Sequence, residues 1–506
     1  MNRPQGFVSL VGAGPGDPRL ITLAGLRAIE RADVIIYDLL VNPSLLDDAP
    51  AHAERIFVGK QGGGKYTPQP EINELLLDKA RQGKRVVRLK GGDPLVFARG
   101  AEELEALAGA GIDFEIIPGV TAALAAAATA AIPLTHRHES STLILVTGHE
   151  DPDKEASVDW HQLATLPGTL AIYMARTKLG SIAAELLEGG RDPKTPVAFV
   201  QWAGSNRQVS HVTTLFDATK GVPDHVGTPM LAIVGRVVAH RQELAWFESR
   251  PLFGQTVLLL RPAEQNARLA QQLEDAGAVV IVEPTMRVEE IEPPSNLDDA
   301  IDAISEFDAI VFVSRPGVRH FCERAWKRGQ DARSLAGLQL VAVGPGTAEE
   351  MALFNLHADL VPEDHRAEGL ADALSPSAQG KRFLVIRANR GRDLLEQSLR
   401  SAGGFVRSVP AYQQVDVIEP SALTRSQLQA GRIDWIFLTS SNVATNFFRW
   451  LDEETRARVG SVIKLISISP ITSQTVRSAG FEVAIEATTH TPEGMMEKLL
   501  ERLRSG

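Results

Sequence analysis

Three short loops carry the residues best suited to chemistry in the N-terminal half. They are Gly12-Ala13-Gly14-Pro15-Gly16-Asp17, Leu89-Lys90-Gly91-Gly92-Asp93-Pro94 and Pro118-Gly119-Val120-Thr121-Ala122, and each follows an apolar run. Glycines let a ligand approach the backbone closely, and Asp93 could accept from ribose hydroxyls. The first loop is not the GxGxxG dinucleotide fingerprint. Its third glycine comes one residue early, and Pro15 lacks the N–H that a phosphate would use. Asp38 ends the next apolar run, where a ribose-binding acid would sit, but the turn argues against a nicotinamide cofactor. Any one such loop reads as an ordinary strand-to-helix turn. Three in order put a polar site at the carboxyl edge of one sheet.

The C-terminal half has no nucleophile–base pair, P-loop or metal constellation. It has polar loops instead: Ser314-Arg315-Pro316-Gly317, Gly344-Pro345-Gly346-Thr347-Ala348, Thr439-Ser440-Ser441-Asn442 and Ser469-Pro470-Ile471-Thr472-Ser473. Amides and hydroxyls at helix starts host anions, and the same residues also serve as helix N-caps. His136 and His149 show no ligand spacing, so the sequence assigns no metal.

The elements that must position these loops read as an alternation of short apolar strands and helical patterns, an α/β architecture with largely parallel sheets. The domains expected are 1–247, with subdomains of about 1–150 and 151–247, a linker at 248–253, and 254–506. The last contains a repeat. GQTVLLLRP matches GKRFLVIRA, AGAVVIVEP matches AGGFVRSVP, DAIVFVSRP matches DWIFLTSSN, VGPGTAEEM matches ISPITSQTV, and AEGLADAL matches PEGMMEKL. The offset is 126 from Gly254 to Gly380 and 125 from Glu368 to Glu493. This predicts two similar lobes of about 125 residues with a ligand cleft between them.

At 506 residues, 44% apolar and 23% charged, the chain has the composition of about three folding units. A net charge of −11 argues against nucleic-acid binding and a polybasic membrane anchor. The single cysteine, Cys322, excludes an internal disulfide or iron–sulfur cluster and suggests a reducing, cytoplasmic setting. The start shows no secretory apolar region. The uncharged run Ile116–Thr135 is alanine-rich and interrupted by Pro118, Gly119 and Pro133, so a buried small-residue helix is expected there rather than a membrane span.

VGAGPGDPRLITL, YDLLV, VGKQGG, RLKGGDPLVFARG, PGVTAA, PLTHR, LVTGH and PMLAIVGRVV follow the order of motifs in uroporphyrinogen-III C-methyltransferases, and residues 6–247 resemble that family. The resemblance implies the two-domain tetrapyrrole-methyltransferase fold. It also implies S-adenosyl-L-methionine, leaving as S-adenosyl-L-homocysteine, and two methylations of uroporphyrinogen III at C2 and C7 to precorrin-2. Pro15, Gly91, Gly92, Asp93, Val96, Thr121, Ala122, Met174 and Ala203 match cofactor-binding positions. Asp38 and Lys60 match a proton acceptor and donor. Arg99, Glu102 and Arg137 match residues lining the tetrapyrrole trough, which must meet a substrate with eight carboxylates. Methyl transfer to a pyrrole carbon needs alignment more than strong bases, with one ionisable group to take the departing proton. The family expectation FGRGGEE is FARGAEE here, so Ala98 and Ala101 bear on fine substrate preference.

Residues 254–503 resemble uroporphyrinogen-III synthase through VAVGPGTA, LTSSN, IRAN with GRDLL, VPAYQQV and the duplication. That implies a bilobed fold whose chain crosses between lobes, and a cofactor-free closure of hydroxymethylbilane with ring D inverted. Tyr412 matches the tyrosine suspected of assisting loss of the hydroxyl, as a phenol with an ordinary pKa near 10. Thr347, Ser440, Ser441 and Thr472 would hold propionates and acetates. The expected chain is thus bifunctional, on the path to sirohaem and cobalamin, and a homodimer through its methyltransferase half. The alternative is an active methyltransferase whose C-terminal half only binds or regulates. A solute-binding module would normally carry an export signal, and none is seen.

Overall fold

The computed structural model describes residues 6–59, 67–150 and 157–504. The chain divides into two compact units. One runs through Gln255 and includes Leu273–Val279; the other holds Thr256–Gln272 and the remainder from Val280.

In the first unit, β1 (Phe7–Gly12), β2 (Val34–Tyr37), β3 (Glu54–Phe57), β4 (Arg85–Lys90) and β5 (Asp113–Ile117) form a sheet ordered β3-β2-β4-β1-β5. All its pairings are parallel. Its central strands β1 and β4 are buried on both faces, apart from residues at their starts, because helices cover both sides. A second sheet follows from β6 (Leu143–Thr147), β7 (Thr169–Tyr173), β8 (Pro196–Gln201), β9 (Val209–Thr214) and β10 (Met230–Val234), ordered β6-β7-β10-β8-β9. Only β6 and β7 run parallel; the other three pairings are antiparallel. The expectation of largely parallel sheets therefore fails for this sheet. β8 turns straight back into β9 through a short connection, which only antiparallel strands permit.

The run expected to be a small-residue helix is the helix Ala122–Ala130. Ala123, Ala126 and Ala130 are buried against Ala171, Tyr173 and Ala198 of the second sheet. Small side chains let this helix, which begins at the end of β5, lie close to β7 and β8. The stretch expected to be a linker is anchored on the first unit. Leu252 is fully buried, and Glu248 accepts hydrogen bonds from Gln208 and Ser210 and pairs with Arg241.

In the second unit, the strands in chain order are β11 (Thr256–Leu259), β12 (Val279–Val282), β13 (Met286–Glu289), β14 (Ala309–Phe312), β15 (Gln339–Ala342), β16 (Arg382–Ala388), β17 (Phe405–Asp416), β18 (Trp435–Leu438), β19 (Lys464–Ser467) and β20 (Ile485–Glu486). They form two sheets, β12-β11-β18-β19-β20 and β13-β17-β16-β14-β15. Each repeat is split: β11 and β12 join one sheet while β14 and β15 join the other, and β16 to β19 do the reverse. The expectation that each repeat of about 125 residues makes one lobe is corrected here. The chain crosses between lobes, as the synthase resemblance implies, and each sheet is completed by the other repeat.

Among the described residues no helix is long and apolar enough to cross a membrane.

Candidate active sites

The three N-terminal loops meet at the carboxyl edge of the first sheet. Ala13 N donates to Lys90 O at 2.8 Å, and Gly14 and Gly92 exchange backbone hydrogen bonds at 3.1 and 3.0 Å. Asp93 accepts from Leu95 N at 2.9 Å and from Gly119 N at 3.1 Å, so its carboxylate ties the second loop to the third. A Cβ on Gly12 would lie 2.5 Å from Gly119 N, and one on Gly119 would lie 2.3 Å from Gly92 O. Gly12 and Gly119 are thus spent on loop-to-loop packing. Gly92 differs: its φ is +72°, but a Cβ there would meet nothing nearer than 3.8 Å.

The second sheet closes the edge. Tyr173, at the end of β7, places its hydroxyl 2.7 Å from Thr121 Oγ1 and accepts from Ala123 N at 3.0 Å. Burial raises the phenol's pKa. Its ring lies 4.8 Å from that of Phe97. A Cβ on Gly16 would strike Ala203 O at 2.7 Å, and Val96, Ala122 and Ala203 pack on one core cluster. Phe97, Arg99, Met174 and Trp202 all hold left-handed backbone, at φ +52°, +58°, +53° and +48°. Such conformations cost free energy and concentrate at functional sites. Leu39, Leu40, Leu95, Phe97 and Met174 leave large apolar side chains exposed on the loops after β2, β4 and β7.

Asp38 follows β2 and accepts from Leu40 N at 3.0 Å. Behind it is a buried charge cluster that the sequence reading missed. Arg88 reaches Asp38 at 3.6 Å and Glu103 at 3.1 Å, and donates to the carbonyls of Ile36 and Leu89. Lys90 pairs with the same oxygen of Glu103 at 2.8 Å, while the other Glu103 oxygen is buried without a partner. Burial, with Arg88 alongside, lowers the Lys90 pKa. The signal was present as charged residues at 88 and 90 inside an apolar strand. Arg99 and Glu102 form a two-bond pair at 2.7 Å on the surface. Arg137 is exposed on the turn from His136 to Ser140, outside this network. Lys60 lies outside the described residues.

In the second unit Ser314, Ser440 and Ser469 cap helices, accepting from Gly317 N, Val443 N and Thr472 N. Ser441 Oγ accepts from Thr475 Oγ1 at 2.9 Å. Thr347 and Thr472 are 5% and 2% exposed, so neither is an open surface contact as expected for a propionate anchor. Tyr412 is 3% exposed; its hydroxyl donates to Ser314 Oγ at 3.0 Å, and its ring stacks on His320. Burial lifts its pKa above the ordinary value expected from sequence. Two features escaped the sequence reading. Thr439 Oγ1 is buried without a partner at the end of β18. Arg261, just after β11, is lowered in pKa by burial and by Arg315, whose own guanidinium lies over Gly346.

Two families match the chain: "Tetrapyrrole (Corrin/Porphyrin) Methylases" over residues 8–219, and "Uroporphyrinogen-III synthase HemD" over residues 267–497. Porphyrin biosynthesis protein HemD of Ruminiclostridium josui is 33% identical over 509 residues, covering 98% of both chains. Uroporphyrinogen-III C-methyltransferase of Bacillus subtilis is 39% identical over 333 residues, covering 65% of this chain and 68% of its own. The solved uroporphyrin-III C-methyltransferase of Thermus thermophilus with S-adenosyl homocysteine is 40% identical, with a TM-score of 0.40, over 46% of this chain and 93% of that one.

Proposed function

The chain belongs to the porphyrin-biosynthesis family that joins a tetrapyrrole methylase to a uroporphyrinogen-III synthase, and from that premise we propose that each half carries a working active site. The C-terminal half closes hydroxymethylbilane to uroporphyrinogen III with loss of water and inversion of ring D. The N-terminal half methylates that product at C2 and C7 to precorrin-2, a precursor of sirohaem and cobalamin.

The observation that carries the methyltransferase reading is the convergence of the loops after β1, β4 and β5 on Tyr173 of the second sheet. This edge fits S-adenosyl-L-methionine: a Cβ on Gly92 would meet nothing nearer than 3.8 Å, so its backbone can be approached closely, with apolar surface at Val96 and Met174 and a hydroxyl at Thr121. Pro15, Gly91, Gly92, Asp93, Val96, Thr121, Ala122, Met174 and Ala203 would hold it. When bound, the cofactor supplies an electrophilic methyl group. Exposed Leu39, Leu40, Leu95 and Phe97 offer an apolar floor for a macrocycle, while Arg99 and Arg137 meet its carboxylates. Asp38, oriented by Arg88, takes the proton released from carbon, and Lys60 is assigned the donor role. In the second unit, Arg261 and Arg315 would meet substrate carboxylates together with Ser440 and Ser441, while Thr347 and Thr472 are too buried to serve as open anchors. Tyr412 stays protonated and acts through Ser314 to assist loss of the hydroxyl. A homodimer paired through the N-terminal half and a cytoplasmic setting are also part of this reading, supported by the resemblance and by the lone cysteine.

The burial of Tyr412 favours one second reading, in which the C-terminal half binds tetrapyrrole without turnover. Fresh hydroxymethylbilane, given to purified protein with and without S-adenosyl-L-methionine, separates the two. Isomer III without the cofactor and precorrin-2 with it are expected. Only isomer I would select the second reading. Isomer III that is never methylated would overturn the assignment of the N-terminal half.

A further inference from the structure

The sequence reading found no metal-ligand spacing around His136. The fold supplies it from a segment 104 residues away. His136 and Glu139 stand at i and i+3 on a tight turn, closed by His136 N to Ser140 O at 2.8 Å, Ser140 N to His136 O at 2.9 Å and Glu139 N to His136 O at 3.1 Å. The base of the turn is anchored by Ser140, whose buried hydroxyl bonds Thr142 O and Thr169 Oγ1. His240 ends the short helical turn Arg236–His240 that follows β10. Next to it, Arg241 donates to Ala130 O at 2.7 Å, which fixes that segment. His240 Nε2 lies 3.1 Å from Glu139 Oε2, and the His136 and His240 rings are 4.6 Å apart. One ligand atom from each of His136, Glu139 and His240 falls within 4.8 Å of the others.

We infer that these three residues bind a divalent transition-metal ion, zinc(II) being the one best suited to the donors. Two imidazoles and a carboxylate form a borderline ligand set that suits zinc and disfavours magnesium or calcium, which take oxygen ligands. Ligands at about 2.0–2.1 Å on a tetrahedral ion stand roughly 3.3 Å apart, close to the His240–Glu139 separation. The ring of His138, 5.8 Å from that of His136, or a water molecule completes the shell. Both anchors are set before the ion arrives, so little ordering opposes binding. The ion would bond the turn to the segment after β10. That turn carries Arg137, so the metal would hold in place the arginine assigned above to substrate carboxylates. This last consequence rests on the proposed methyltransferase reading; the binding itself does not.

The test is zinc(II) binding by untagged full-length protein, read by competition with a chromophoric chelator at neutral pH, with melting temperature as a second readout. One equivalent should bind with micromolar or tighter affinity and raise the melting temperature. His240→Asn and Glu139→Gln should each weaken binding at least about tenfold and abolish the thermal shift. His211→Asn, in the separate His211–His225 pair whose rings are 5.1 Å apart, should leave it unchanged. Absent binding, binding unaltered in both His240→Asn and Glu139→Gln, or binding lost in His211→Asn would each overturn the proposal. Glu139 is on the surface turn, so its variant reports even if His240→Asn folds poorly.

Discussion

Beneath Asp38, the side chains of Arg88, Lys90 and Glu103 share a space nearly closed to water, at 3, 3 and 0% exposure. One carboxylate balances two cations, and Arg88 spends its remaining donors on Asp38 and two carbonyls. Removing Glu103 leaves two buried cations facing each other. Glu103→Gln is therefore expected to cost about 3–5 kcal/mol at neutral pH, measured by urea unfolding. The pH dependence has a definite sign. Lys90 already has a lowered pKa in the folded state. Above that value, and below the ordinary 10.5, the folded chain binds fewer protons than the unfolded one, so this lysine's contribution to stability rises with pH. The deficit of Glu103→Gln should shrink on going from neutral pH towards that ordinary value. A constant or growing deficit would show that Lys90 does not feel Glu103. Two charged residues inside an apolar strand were visible in the sequence, but their common partner on the following helix was not.

At the scale of elements, glycine has two distinct uses on one sheet edge. Gly12 and Gly119 sit backbone to backbone, with no room for a Cβ. Gly92 has room but a left-handed φ. Gly119→Ala should therefore destabilise the first unit by about 1–3 kcal/mol through overpacking and lower kcat, because the loops separate. Gly92→Ala should cost only about 1–2 kcal/mol from its backbone conformation and act mainly by raising the KM for S-adenosyl-L-methionine. Thermal melting together with steady-state methylation tests the contrast. An unchanged KM in Gly92→Ala would remove Gly92 from the cofactor surface. The sequence shows only that all three positions are glycine; which of them face a ligand depends on what the neighbouring loop occupies.

For the whole molecule, the repeat in the sequence and the lobe in space are different units. Residues 285–416 contain every strand of the sheet β13-β17-β16-β14-β15 and the apolar clusters that cover it. A fragment of those residues is expected to unfold cooperatively in urea. Residues 254–379, one full repeat, hold two strands of one sheet and three of the other and complete neither core, so that fragment should show no cooperative transition. The opposite result would mean that the repeats fold first and exchange strands later.

The sequence by itself determined the α/β alternation, the duplication, the three strand-end loops and the two resemblances. These are local in the chain: periodicity, turn residues and ordered motifs survive without knowing what touches what. Tertiary structure decided the rest. It made the second sheet mixed, because β10 enters between β7 and β8 from the far end of its subdomain. It split each repeat between two lobes, buried Tyr412 against Ser314, and brought His240 to His136 and Glu139. Each of these depends on which distant segments share a face or an edge. That choice is made by burying apolar surface across the whole chain, and no window of neighbouring residues records it.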